Sequence, residues 1–168
     1  FGFPKRNHND FRYNKKLGGG ALLDCGGYTI KYASLLLGSS VKVQSATLNY
    51  TNEFEVDLFG SGVLTNSRND VVQIAFGMDN SYKCELEVWG SKGVLYTNRV
   101  LTAPAGFIPE MILEVGGTEE IYSLSSDDAF VKSIQYFQQC IEDEATRQDN
   151  YKTVNKQAEL VNQFIEKA

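Results

Sequence analysis

Asp24 and Tyr28 stand four residues apart in LGGGALLDCGGYTIKYASLLLG, residues 17–38. On a helix that spacing stacks a carboxylate and a phenol on one face, and Lys31 continues the same line. A phenol keeps its proton at neutral pH. It can donate that proton to a developing alkoxide as a general acid, while a neighbouring carboxylate orients hydroxyl groups or the phenol itself. The same pair on an ordinary surface helix is a plain polar contact, so spacing alone does not assign the chemistry. Three glycines, Gly18 to Gly20, precede the pair and suggest a phosphate loop. The flanking residues reject that reading. A P-loop needs Lys and Ser or Thr after its last glycine, and here Ala21 and Leu22 follow Gly20. The dinucleotide pattern G-x-G-x-x-G fails as well, because Leu23 stands three residues after Gly20. The glycines instead predict a tight, close-packed turn into the helix.

Composition narrows the remaining chemistry. The chain has 168 residues, a length suited to one domain, with 42% hydrophobic and 12% aromatic residues. His8 is the only histidine and lies in the polar stretch RNHND, which argues against a histidine-ligated metal or a Ser-His-Asp triad. Cys25, Cys84 and Cys140 are dispersed and form no C-x-x-C pair, so neither a zinc site nor a disulfide is expected and no metal is predicted. The net charge of -5 disfavours general nucleic-acid binding. Yet Lys5, Arg6, Arg12, Lys15 and Lys16 face only Asp10 in the first twenty residues, a basic patch just ahead of the helix. No apolar run reaches the roughly 18 residues of a membrane span, and no secretion signal opens the chain. A cytoplasmic location is expected, and the sequon Asn49-Tyr50-Thr51 is discounted on the same ground. The first residue is Phe1, which suggests a piece of a longer protein.

The elements that must hold these residues follow from periodicity. FGFPKR reads as a short strand confined to a sheet edge by Pro4. Residues 20–37 read as a helix ended by Gly38, with Leu22, Cys25, Gly26, Ile30, Ala33 and Leu37 toward the core. From Val41 to about Leu124 the period becomes two. SYKCELEVWG alternates as a strand with one buried face, with DNS before it and GSKG after it as hairpin turns. DVVQIAFGM carries apolar residues in both alternating sets and predicts a strand covered on both faces. Ser125 and Asp128 suggest a capping box for a helix bearing Phe130, Ile134, Phe137 and Ile141. Val154, Ala158, Val161, Ile165 and Ala168 mark a last amphipathic helix. The order predicts an α+β domain with one large, mainly antiparallel open sheet and helices packed on one face.

FRYNKKLGGGALLDCGGYTIKYASLLLG resembles the start of the C-terminal domain in the glucose–fructose oxidoreductase / inositol dehydrogenase / MocA family. DLFGSGVL, ELEVWGSKGVLYTNRVLTAPAGF and QAELVNQFIEKA extend the likeness over residues 1–168, so the whole chain is expected to be one such domain. FGFP, Tyr28 and NRVLTAPAGF are most similar to the branch that reduces 3-keto groups of nucleotide-linked sugars. The resemblance implies a dihydrodipicolinate-reductase-like C-terminal domain that binds substrate and forms oligomers through its open sheet face. It implies NAD or NADP held mainly by an N-terminal Rossmann domain, which also carries a Glu-Lys-Pro lysine; neither motif is in this chain, so the isolated chain is expected to be inactive. Tyr28 takes the proton-donor position and Asp24 the acidic position of the motif. Arg12, Lys15, Lys16 and Lys31 become candidates for binding the substrate and its pyrophosphate. Cofactor-binding residues stay open, with Gly19 and Gly20 as candidates to line the site. The competing reading is a non-catalytic sugar-binding or dimer-scaffold module on the same fold. A sugar-type alcohol or ketone is the expected small-molecule partner, with no nucleic acid and no membrane.

Overall fold

The computed structural model describes residues 1–168, which divide into two compact units: residues 1–83 with 151–168, and residues 84–150. In the first unit, strands β1 (Gly2–Phe3), β2 (Lys42–Tyr50), β3 (Asp57–Thr65) and β4 (Val71–Met78) form a sheet in the order β1-β4-β3-β2. β1 joins β4 in parallel, and the other pairs are antiparallel. Helix α1 (Gly27–Leu37) buries Ile30, Ala33 and Leu37 against Leu64, Ile74 and Phe76 of the sheet, with Cys25 of the preceding turn in the same core. The helical spacing that placed these residues inward is therefore met.

Leu160 and Phe164 of α3 (Glu144–Lys167) complete this core, and the Phe164 ring lies 5.6 Å from that of Phe76. Two side-chain amides fasten the helix end: Gln157 Nε2 donates to Gly27 O at 2.8 Å, and Gln163 Oε1 accepts from Val43 N at 3.0 Å. The last helix starts earlier than its apolar period suggests, because Asp143 caps it by accepting from Thr146 N at 2.8 Å.

The second unit holds β5 (Glu85–Gly90), β6 (Gly93–Asn98), β7 (Glu110–Val115) and β8 (Thr118–Ser123), an antiparallel sheet in that order. Gly90 and Gly93 pair around the Ser91-Lys92 turn, and Gly116 and Gly117 turn the β7–β8 hairpin at positive φ. Helix α2 (Ala129–Glu142) is capped by Asp128, which accepts from Phe130 N and Val131 N. Asp128 is thus the cap itself rather than the third residue of a box begun by Ser125. Phe130, Ile134, Phe137 and Ile141 are all exposed, as is Trp89 at 85%.

Three expectations need correction. The sheet is not single: four strands lie in each unit. The DNS segment does not make a hairpin back onto β4, because β1 already occupies that edge. Asp79 and Asn80 donate to Phe3 O, and Gly2 and Lys83 exchange both backbone hydrogen bonds. β4 also buries one face only, with Ile74, Phe76 and Met78 inside and Val71, Gln73 and Ala75 exposed. No helix is long and apolar enough to cross a membrane. All three cysteines are buried and unpaired.

Candidate active site

The basic segment folds as two short turns ahead of α1. Asp10 caps the first, Phe11–Tyr13, by accepting from Arg12 N at 3.0 Å; Asn14 caps the second, Lys15–Leu17, by accepting from Lys16 N at 2.9 Å. The chain then doubles back, with Gly20 N donating to Arg12 O at 2.9 Å and Gly19 N to Asn14 O at 3.0 Å. A Cβ on Gly19 would stand 2.4 Å from the Arg12 carbonyl oxygen. Gly20 has φ +120, and a Cβ there would meet Asp57 Oδ1 at 2.4 Å. These glycines admit the chain's own backbone and a carboxylate, as the close-packed reading of the sequence expects.

That carboxylate, Asp57 on β3, is buried at 8% exposure, and its Oδ2 accepts from Leu22 N at 2.6 Å. Burial pushes its protonation above the ordinary carboxylate range, and the Leu22 N–H opposes the push. An internal carboxylate therefore already takes the Leu22 N–H at the start of the helix, a place where a phosphate would otherwise sit. The Gly18–Gly20 segment consequently does not fit the phosphates of a dinucleotide.

After Ala21 the helix opens as a π turn over Leu22–Gly26, with Gly27 N reaching back to Leu22 O, and only then becomes α-helical. The expected uniform helix over residues 20–37 is therefore widened at the turn that carries Asp24, a device that recurs at functional sites. Asp24 is half-buried, and its Oδ2 accepts from Arg12 Nε at 3.0 Å. Arg12 Nη1 donates to Asp10 Oδ1 at 3.1 Å, so one guanidinium bridges two carboxylates. The N–H of Arg12 and then its guanidinium hold Asp10 below the usual carboxylate range.

Tyr28 follows in the first turn of α1 at 55% exposure, with its ring edge-on to Phe1 at 6.1 Å. Lys31 is half-buried one turn on. Cys25, between Asp24 and the glycines, points into the core; burial pushes its thiol up to about 12, so it is a packing residue. Lys15 and Lys16 line a cleft of about 490 Å³ with His8, Tyr13, Glu53 and Phe54, where the Tyr13 and Phe54 rings stack at 4.3 Å.

The structure places Asp24 in the π turn, with Tyr28 and Lys31 on the first turns of the α-helix that follows. It ties Arg12 to Asp24 and sets Lys15 and Lys16 along the cleft. The sequence reading missed Asp10 and Asp57. Asp10 was visible as the single acid inside the basic patch, and Asp57 as an acid heading the apolar strand DLFGSGVL.

The family model of the GFO/IDH/MocA C-terminal domain matches residues 1–96. The chain belongs to this family. A dTDP-3,4-didehydro-2,6-dideoxy-alpha-D-glucose 3-reductase from Actinomadura kijaniata is 37% identical over 141 residues, which are 84% of this chain and 42% of that protein. The reductase of the same name from Streptomyces violaceoruber is 36% identical over 96% of this chain and 50% of its own length. The crystal structure of a 3-ketoreductase from A. kijaniata with NADP and TDP-benzene superposes on the whole chain with a TM-score of 0.93 at 34% identity, covering 52% of that chain. The chain therefore spans about half the length of the curated relatives it matches.

Proposed function

We propose that this chain is the substrate-binding and oligomerisation half of an NADP-dependent reductase acting on a nucleotide-linked 3-keto sugar. The observation that carries this reading is the Asp24–Tyr28 face: a carboxylate fastened by Arg12, with an exposed phenol one turn away. Reduction of a ketone leaves negative charge on the former carbonyl oxygen, and the Tyr28 hydroxyl is the group that protonates it. Asp24 orients the sugar hydroxyls, while Lys31 lies alongside. Lys15 and Lys16 supply positive charge for the diphosphate. The relatives support the substrate class, being 3-reductases of a dTDP-linked sugar, and one was crystallised with TDP-benzene and NADP. The cofactor and a Rossmann domain belong to the other half of the protein, and no residue of this chain is assigned to them. The enzyme works in the cytoplasm. The outer face of the first sheet, with Ser45, Thr47, Ser61 and Gln73, serves as the subunit contact.

Tyr28→Phe in the full-length enzyme tests the reading. The change removes one hydroxyl and leaves helix packing intact, so kcat should fall by about 10²–10⁴ with KM little changed, a loss of roughly 3–5 kcal/mol of barrier lowering. A near-normal kcat, measured with chemistry rate-limiting, would remove Tyr28 from the proton-donor role; a wild-type protein that reduces no such sugar would favour the non-catalytic module.

A further inference from the structure

Resting on the proposed reduction, we infer that Arg12 is a positioning residue, which acts on substrate only through Asp24. Its place in the basic patch suggests a ligand for the substrate diphosphate, and its contacts point elsewhere. Nε and Nη1 are each committed to a carboxylate, at 3.0 and 3.1 Å. The Asp10–Arg12–Asp24 group carries a net negative charge, so it repels a diphosphate rather than attracting one. The rings of Phe11 and Phe3 lie 4.6 and 5.9 Å from the guanidinium carbon, which further fixes the side chain.

Asp24 needs such a fastening. It sits in the π turn Leu22–Gly26, where a regular α-helical ladder does not define the side chain's direction. Arg12 holds both ends of the problem. Its carbonyl accepts from Gly20 N at the start of the helix, and its guanidinium holds Asp24 four residues further on. The planar donor fork sets the carboxylate plane in a way that a lysine ammonium does not. With Oδ2 engaged, Oδ1 is the oxygen that receives a sugar hydroxyl.

Two measurements on the full-length enzyme test this. In a double-mutant cycle, Arg12→Gln should lower kcat about 10–100-fold with KM nearly constant, and Arg12→Lys should recover part of the loss. In the Asp24→Asn background the same Arg12→Gln change should cost less than about twofold, because its route to the substrate is already gone. Losses that multiply, or a raised KM at unchanged kcat, would overturn the proposal; so would a lysine variant no better than the glutamine one. The second measurement follows the Arg12 Nε–H by nitrogen NMR while thymidine diphosphate is added. The signal should stay protected and unmoved, whereas Asp24→Asn should release it. A signal that tracks the diphosphate makes Arg12 a ligand instead. If the wild-type enzyme reduces no nucleotide-linked 3-keto sugar, the proposed function falls, and the NMR measurement still decides the role of Arg12.

Discussion

Asp57 brings a charge into the core of the first unit to cap a helix from a strand 35 residues away. Its protonation is raised by burial, so the stability it contributes is fully present below the ordinary carboxylate range and is lost as pH rises through its folded value. Asp57→Asn keeps an acceptor for Leu22 N and removes the charge. The stability of the variant relative to wild type should therefore improve as pH rises above the ordinary carboxylate range, read by urea unfolding. Asp57→Ala should instead cost about 1–3 kcal/mol at low pH by leaving a buried N–H unpaired, and less as pH rises. An Asn variant that loses ground as pH rises would show that Asp57 is held as a stabilised anion. No sequence pattern announces this cap, since a strand residue and a helix start so far apart share no periodicity. Asp24 and Tyr28, by contrast, drew notice in the sequence because a spacing of four is the one that a helix turns into neighbours.

Within the elements, β3 alternates Gly60, Gly62 and Leu64 inward with Phe59, Ser61 and Val63 outward. The small inward residues make room for aromatic rings. A Cβ on Gly62 would stand 2.5 Å from Phe164 Cε2 and 2.9 Å from Ser45 O. Gly62→Ala should destabilise the fold by about 1–3 kcal/mol through overpacking, measured as a lower urea midpoint at unchanged slope. An unchanged midpoint would mean that the end of α3 moves freely over the sheet. The inward set of α1 and the alternation of β3 were readable because each element repeats at its own period. The split into two sheets was not, because it depends on β1, a strand of two residues with no period to read. The π turn escaped for a related reason: its extra residue shifts the register without changing which residues are apolar.

At the scale of the molecule, the outer face of the first sheet presents Thr47, Ser61 and Ala75 in one row and Ser45, Val63 and Gln73 in the next. Small, flat side chains suit the close approach of a second sheet, so the full-length protein should run as a dimer or larger in light scattering at micromolar concentration. Ser61→Arg, which sets a charge at the centre of that face, should shift it to monomer; a wild-type monomer under the same conditions would sink the contact. The two units also differ in what they bury. The first has a continuous core from Phe3 to Phe164, whereas Cys84 and Cys140 are the only buried residues of the second. A four-stranded sheet whose faces are at best half-covered gains little from the hydrophobic effect. Heat or denaturant should then release the second unit ahead of the first, and the unfolding transition of the chain should not be all-or-none. A melting temperature taken from total helix signal mixes α2 with the well-packed α1 and describes neither unit. Asp24 and Tyr28 both lie in the first unit, so the order of their surroundings is read from that unit's own transition.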